Sequence, residues 1–298
     1  MEQLKTVLVT GSTGLIGSHL VKALSAEKRY RVIGAVEDDS GYTDRYAAND
    51  YLRTIPNAAL LKGQLSDVDL VVNCAFARSN DPRLLADALD FTANLALSLK
   101  KIGVGALINI SSQGVYKRLP EGQLQTEDSE IEPIDLYSMA KYAAERLLIA
   151  SNCAAHITNV RLASINMRQR FLFAFVRKVL CGEPIVLTTP HQNAALLDVK
   201  DAVAGLMALI ELPDAERKET YNLGIGSQMT ILDYARVAEK TLKEFGYSAK
   251  LTVLDQNTDL RNSGMDCSRI MRDTGWAPEV SAYDMVRSFC QDIMGGKS

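Results

Sequence analysis

A doubly wound α/β fold, a parallel sheet with helices on both faces, is predicted by two features of this chain. Strand-like apolar runs recur ahead of helix-period stretches, at Val7–Thr10, Val32–Val36, Leu70–Cys74, Ala106–Ile110 and Ile157–Leu162. That alternation calls for parallel strands joined by crossover helices. The first run also ends in Gly11-Ser12-Thr13-Gly14-Leu15-Ile16-Gly17, which opens directly into a helical pattern. With 298 residues, 47% of them apolar, the chain has material for one large domain or two that share a core.

Taken in order, the helix from Leu15 to about Ala26 carries Leu15, Ile16, Leu20, Ala23 and Leu24 at helical spacing, as does the stretch from Leu84 to Leu99. Both should cover the sheet. Lys100-Lys101-Ile102-Gly103 closes the second helix, with glycine where a C-cap favours it. After Leu162 the alternation stops. Met167 to Cys181 mixes Phe171, Phe173 and Phe175 with Arg168, Arg170, Arg177 and Lys178, the texture of a lid or substrate-domain helix. Asp198 to Glu211 reads as a long helix returning to the sheet, and Tyr221 onward as shorter mixed elements. The expected division is a dinucleotide-binding domain over 1–165, rejoined by 194–224, and a smaller mixed substrate-binding domain from 166–193 and 225–298.

Composition removes several classes of function. A net charge of -3 with acids and bases spread evenly gives no electrostatic case for nucleic acid or an acidic membrane surface. The five cysteines, Cys74, Cys153, Cys181, Cys267 and Cys290, are odd in number and lack metal-ligand spacing. They read as reduced thiols, and no metal site is expected. The chain runs into its first strand without a leader, and no stretch of about 18 apolar residues is present. A cytoplasmic protein is expected.

The glycine segment carries the first chemical signal. A strand ending in glycines lets the backbone turn sharply and approach a pyrophosphate closely, with free N–H groups at the positive end of a helix. Gly11, Thr13, Gly14, Leu15, Ile16 and Gly17 are therefore candidate cofactor contacts. The second signal is Ser112, just past the strand that ends at Ile110, together with Tyr137 and Lys141. A spacing of four puts Tyr137 and Lys141 on one helical face. The pair is common by chance. In combination with the serine and the glycine loop, at or beyond the carboxyl ends of strands where open α/β sheets bind ligands, it is specific.

Across nearly its whole length the chain resembles the extended short-chain dehydrogenase/reductase superfamily, in its NAD-dependent epimerase/dehydratase group. The matching segments are Gly11 to Gly17, Val72-Asn73-Cys74-Ala75, Ile110-Ser111-Ser112-Gln113-Gly114-Val115-Tyr116 and Tyr137-Ser138-Met139-Ala140-Lys141-Tyr142-Ala143-Ala144-Glu145. Tyr221-Asn222-Leu223-Gly224 and Thr274-Gly275-Trp276-Ala277-Pro278 match the carboxyl-terminal pattern. The resemblance implies a Rossmann-like fold, with Cys74 and Ala75 beside the cofactor. It implies that Tyr137 carries the proton, that Lys141 and the oxidised nicotinamide lower the phenol's pKa, that Lys141 holds the ribose, and that Ser112 orients the substrate oxygen. It further implies a homodimer packed through two helices, for which Leu95, Leu99, Leu147 and Leu148 are suitable, though each could equally be core.

Departures from the family pattern narrow the reading. The acid that takes the adenosine ribose is not cleanly placed. Glu37 or Asp38 would favour NAD over NADP, which is not excluded. Dehydratases carry an acidic pair after the catalytic hydroxyl residue, where this chain has Gln113-Gly114, so a 4,6-dehydratase is disfavoured. Ser164-Ile165-Asn166-Met167-Arg168 replaces the Tyr-Gly-Pro-Arg-like run of epimerases, and Asn193 to Val199 lacks the family's arginine. Arg168 and Arg261 are nevertheless candidates for substrate phosphates, with Arg170 available. The expected activity is a sugar 4-epimerase or 4-ketoreductase acting on a nucleotide sugar. The alternative is a non-catalytic dinucleotide-binding sensor or scaffold of the same fold.

Overall fold

The computed structural model describes residues 4–37, 51–120, 122–167, 170–254 and 263–295. The chain begins with β1 (Lys5–Thr10), α1 (Leu15–Ala26) and β2 (Tyr30–Val36), then β3 (Leu52–Pro56) and α2 (Asn57–Leu61). Next come β4 (Leu70–Asn73), α3 (Pro82–Ile102), β5 (Ala106–Ser112), α4 (Leu136–Ser151) and β6 (His156–Leu162). After β7 (Ser164–Ile165), α5 (Phe171–Leu180), β8 (Ile185–Leu187), β9 (Asn193–Ala194) and β10 (Leu196–Leu197), the chain forms α6 (Val199–Glu211) and β11 (Thr220–Leu223). It ends with β12 (Met229–Thr230), α7 (Ile231–Glu244), β13 (Leu251–Val253), α8 (Ser268–Thr274) and α9 (Ala282–Met294).

Seven strands form one parallel sheet in the order β11-β6-β5-β4-β1-β2-β3. Because side chains alternate across a strand, each strand supplies both faces. Val7, Val9, Val32, Val72 and Ile108 join Leu20 and Leu24 of α1 and Leu206 and Leu209 of α6 in one core. Their neighbours Leu8, Ile33, Val71 and Leu107 turn the other way, onto Leu60 of α2, Leu95 and Leu99 of α3 and Leu148 of α4. Leu95, Leu99 and Leu148 are thus fully buried inside the protomer, and Leu147 is half-buried. Of the two roles open to them, seam or core, Leu95, Leu99 and Leu148 take that of core, because their helical phase faces the sheet. On α3 it is Leu97, 61% exposed, that points outward.

The helix ends follow capping chemistry. Asp81 accepts from Arg83 N–H ahead of Pro82, and Gly103 closes α3 at φ 77°. A third core brings α5, α7 and α9 together around Leu172, Val176, Tyr234, Leu242 and Phe289, beside the β8–β13 pair.

The sheet order reverses between β1 and β4, whose chain continuations diverge. A crevice at the carboxyl ends of these strands is the general ligand site of such sheets.

Candidate active site

At that crevice the loop after β1 presses on the loop after β4. Gly11 sits at φ +59°, and a Cβ there would lie 2.7 Å from Ala75 N. A Cβ on Gly17 would lie 2.2 Å from Gly11 O. Gly14, extended at φ −73° and ψ 174°, precedes α1 and offers no side-chain cap to the helix's first N–H groups. A turn this tight, ending on uncapped amides, fits a dinucleotide's pyrophosphate.

The cleft has a volume of about 680 Å³ and runs from this loop past the ends of β5 and β6. Gly11, Gly14, Leu15, Ile16, Gly17 and Cys74 line one end, and Ser112, Tyr137 and Lys141 line the middle. The structure therefore brings together residues far apart in sequence. Thr13, Ala75 and Glu37 lie outside the lining, Glu37 being exposed just past β2. Arg168, Arg261 and Asp38 fall outside the described residues.

Each central side chain has a local cause for its position. Asp135 Oδ1 accepts from Ser138 N–H at 2.7 Å and starts α4, while Asn80 Oδ1 accepts from Tyr137 N–H at 2.9 Å. Ser112 Oγ accepts from Gly114 N–H at 3.1 Å, which leaves the hydroxyl proton to be donated. Lys141, 5% exposed, donates from Nζ to Ile110 O at 2.7 Å, and its ammonium lies 4.1 Å from the centre of the Phe76 ring. Burial draws this lysine down to about 7, opposed by Cys74 and Glu145. Burial likewise raises the Cys74 thiol to about 12.

In the protein alone burial raises the Tyr137 phenol, with Arg78 and Arg170 opposing and Asp135 adding; the lowering implied by the resemblance draws on the nicotinamide's charge as well as on Lys141. The lysine's charge is spent on Ile110 O and on Phe76, whose ring also meets Tyr137 edge-on at 6.2 Å. Phe76 and Arg78 escaped the sequence reading. Their signal was position alone, directly beyond the Val72-Asn73-Cys74-Ala75 strand end.

The profile of the NAD-dependent epimerase/dehydratase family matches residues 7–224. The chain belongs to that family. Among curated relatives, UDP-glucuronic acid decarboxylase 4 of Arabidopsis thaliana is 26% identical, over 97% of this chain and 69% of the relative. GDP-L-fucose synthase of Azorhizobium caulinodans is 24% identical, over 98% and 97%. The fold resembles UDP-glucuronic acid 4-epimerase from Bacillus cereus, solved with UDP-glucuronic acid and NAD, at a TM-score of 0.80 with 22% identity, over 97% of this chain and 99% of the other. It also resembles UDP-glucose 4-epimerase from Thermotoga maritima, at 0.80 and 22%, over 98% and 100%. Among the described residues no helix is long and apolar enough to cross a membrane, and no cluster of acids, histidines and cysteines could hold a metal.

Proposed function

We propose that this family member is an NAD-dependent sugar 4-epimerase or 4-ketoreductase acting on a nucleotide sugar. The observation that carries the reading is one cleft holding Ser112, Tyr137 and Lys141 beside the glycine turn. In this reading Gly11, Thr13, Gly14, Leu15, Ile16 and Gly17 hold the cofactor's pyrophosphate, and Cys74 and Ala75 flank it. Bound NAD supplies the hydride acceptor and, when reduced, the donor.

The protein's own side chains handle the oxygen. Ser112 donates to the carbinol or carbonyl oxygen and fixes its direction. Tyr137 takes the carbinol proton in oxidation and returns it in reduction. Lys141 reaches the ribose once its ammonium leaves Ile110 O. Gln113 and Gly114 lack proton-transferring groups, and a Cβ on Gly114 would lie 2.3 Å from Ser138 Oγ, both of which speak against a 4,6-dehydratase. We assign the substrate lobe to 166–193 and 225–298. A homodimer would use the outer face of α3 around Leu97, which sedimentation of a Leu97→Arg variant tests.

The deciding experiment mixes purified protein, NAD(H) or NADP(H), and a panel of UDP-, GDP- and dTDP-sugars. Net change in reduced nicotinamide identifies a reductase, and an isomerised sugar without net change identifies an epimerase. Tyr137→Phe should cost on the order of 10²–10⁴ in turnover with dinucleotide binding retained. Unchanged turnover would move the assignment to the non-catalytic alternative.

A further inference from the structure

Two arginines line the cleft that holds Tyr137, and among the described residues neither is ion-paired with an acid. Arg78 comes from the loop after β4 and Arg170 from the residue ahead of α5, and both line the cleft with Tyr137. Arg78 Nη1 meets only the Met167 sulfur, at 3.2 Å, a weak acceptor. Arg170 Nε is buried without a partner. Asp135, an acid lining the same cleft, is committed to capping α4. The arrangement is costly as it stands, because burial and the charge of Arg78 both work against the Arg170 guanidinium. An unsatisfied buried donor beside a like charge is the environment an anion relieves.

We propose that Arg78 and Arg170 form a seat for an oxyanion carried by the substrate next to Tyr137, namely a carboxylate on the sugar ring. The inference rests on the oxidoreductase reading above and specifies its substrate as an acidic sugar nucleotide. Guanidinium forks match the planar oxygens of a carboxylate. The seat shares its wall with the phenol that handles the reacting hydroxyl, so a ring substituent reaches it more directly than a diphosphate at the sugar's far end. Arg170 also lines an adjoining cavity of about 340 Å³, which it shares with Gln113 and Ser164, giving the rest of the sugar a polar surface.

The test uses free monosaccharides, so that it does not depend on which nucleotide is recognised. Full-length protein, with and without NAD, is titrated with D-glucuronate, D-glucose and inorganic phosphate at constant ionic strength, in wild type, Arg78→Gln and Arg170→Gln. Arg78 is exposed and Arg170 makes no side-chain cap to α5, so both variants should fold, and circular dichroism checks this. Glucuronate should bind at least tenfold more tightly than glucose, and both variants should erase the difference. Equal binding of the two sugars, or a preference that survives both variants, overturns the proposal. Binding of phosphate without glucuronate also overturns it and reassigns the arginines to phosphoryl oxygens. A failed oxidoreductase reading would be seen separately, as absent dinucleotide binding or turnover, with the sugar titrations still readable.

Discussion

The ammonium of Lys141 lies 4.1 Å from the centre of the Phe76 ring and donates to Ile110 O, so a charge is held in a nearly dry site. Its folded pKa of about 7 lies well below the ~10.4 of an unfolded lysine. Below pH 7 both states are protonated, and the cost of burying the charge is felt in full. Between about 7 and 10.4 the unfolded chain binds more protons, so stability rises with pH, by up to about 1.4 kcal/mol per unit. Lys141→Met removes the effect. In cofactor-free protein the variant should therefore be more stable than wild type at pH 6, with the gap closing toward pH 9 in chemical unfolding. A gap independent of pH would contradict the assignment.

Four residues along the same helix, Glu145 takes both edges of Arg161, at 3.1 Å from Nε and 2.8 Å from Nη2. The two side chains are 2% and 7% exposed, and Tyr116 covers the guanidinium at 4.7 Å. This pair pins α4, and with it Tyr137 and Lys141, to β6. Removing one partner of a buried pair costs about 3–5 kcal/mol, whereas replacing both with apolar groups of similar volume is often neutral. Glu145→Ala should lose that much in urea unfolding, and Glu145→Leu with Arg161→Met should recover most of it. Equal losses in the single and double variants would show that packing, not charge, holds the helix.

The parts of this molecule legible from sequence are those governed by local rules. The strands β1, β2, β4, β5 and β6 announce themselves as apolar runs, and Gly103 marks the end of α3 because only a few residue types accept its positive φ. That Ser112, Tyr137 and Lys141 line one cleft was legible because strand ends converge at a known place on such sheets. β3 was not, since Leu52-Arg53-Thr54-Ile55-Pro56 has too few apolar residues and owes its state to pairing with β2. Leu95 and Leu99 could not be separated from a surface seam by spacing alone, because the face a helix buries depends on what it packs against. The opposition of Arg78 and Arg170 is also tertiary, joining loops nearly a hundred positions apart.

A second tertiary feature carries its own prediction. Thr10, Asn73, Asn109 and Asn159 stand in register across β1, β4, β5 and β6, and each sits inside an apolar run. Thr10 Oγ1 donates to Asn73 Oδ1 at 2.6 Å, Asn73 Nδ2 to Asn109 Oδ1 at 2.9 Å, and Asn109 Nδ2 to Asn159 Oδ1 at 2.9 Å. Asn109→Ala would strand a donor on Asn73 and an acceptor on Asn159, at about 1–3 kcal/mol each. Stability should fall by roughly 2–6 kcal/mol, measured by denaturant midpoint at unchanged slope. A loss below 1 kcal/mol would mean the ladder is replaceable by water.

The glycine turn offers the sharpest test of how backbone geometry prepares the cofactor site. Gly17 lies in the first turn of α1, and its missing side chain is what lets Gly11 O approach. A Cβ 2.2 Å from a backbone oxygen cannot be absorbed by a rotamer change, so Gly17→Ala must displace the loop itself. Overpacking of this kind costs about 1–3 kcal/mol, and a displaced loop no longer aims its amides at one point. Dinucleotide affinity should drop about 10- to 100-fold by calorimetry. Ser18→Ala, which loses hydroxyl contacts to Leu15 O at 3.3 Å and His19 Nδ1 at 3.5 Å, should leave affinity unchanged. Equal affinities for Gly17→Ala and wild type would mean that the cofactor does not rest on this turn.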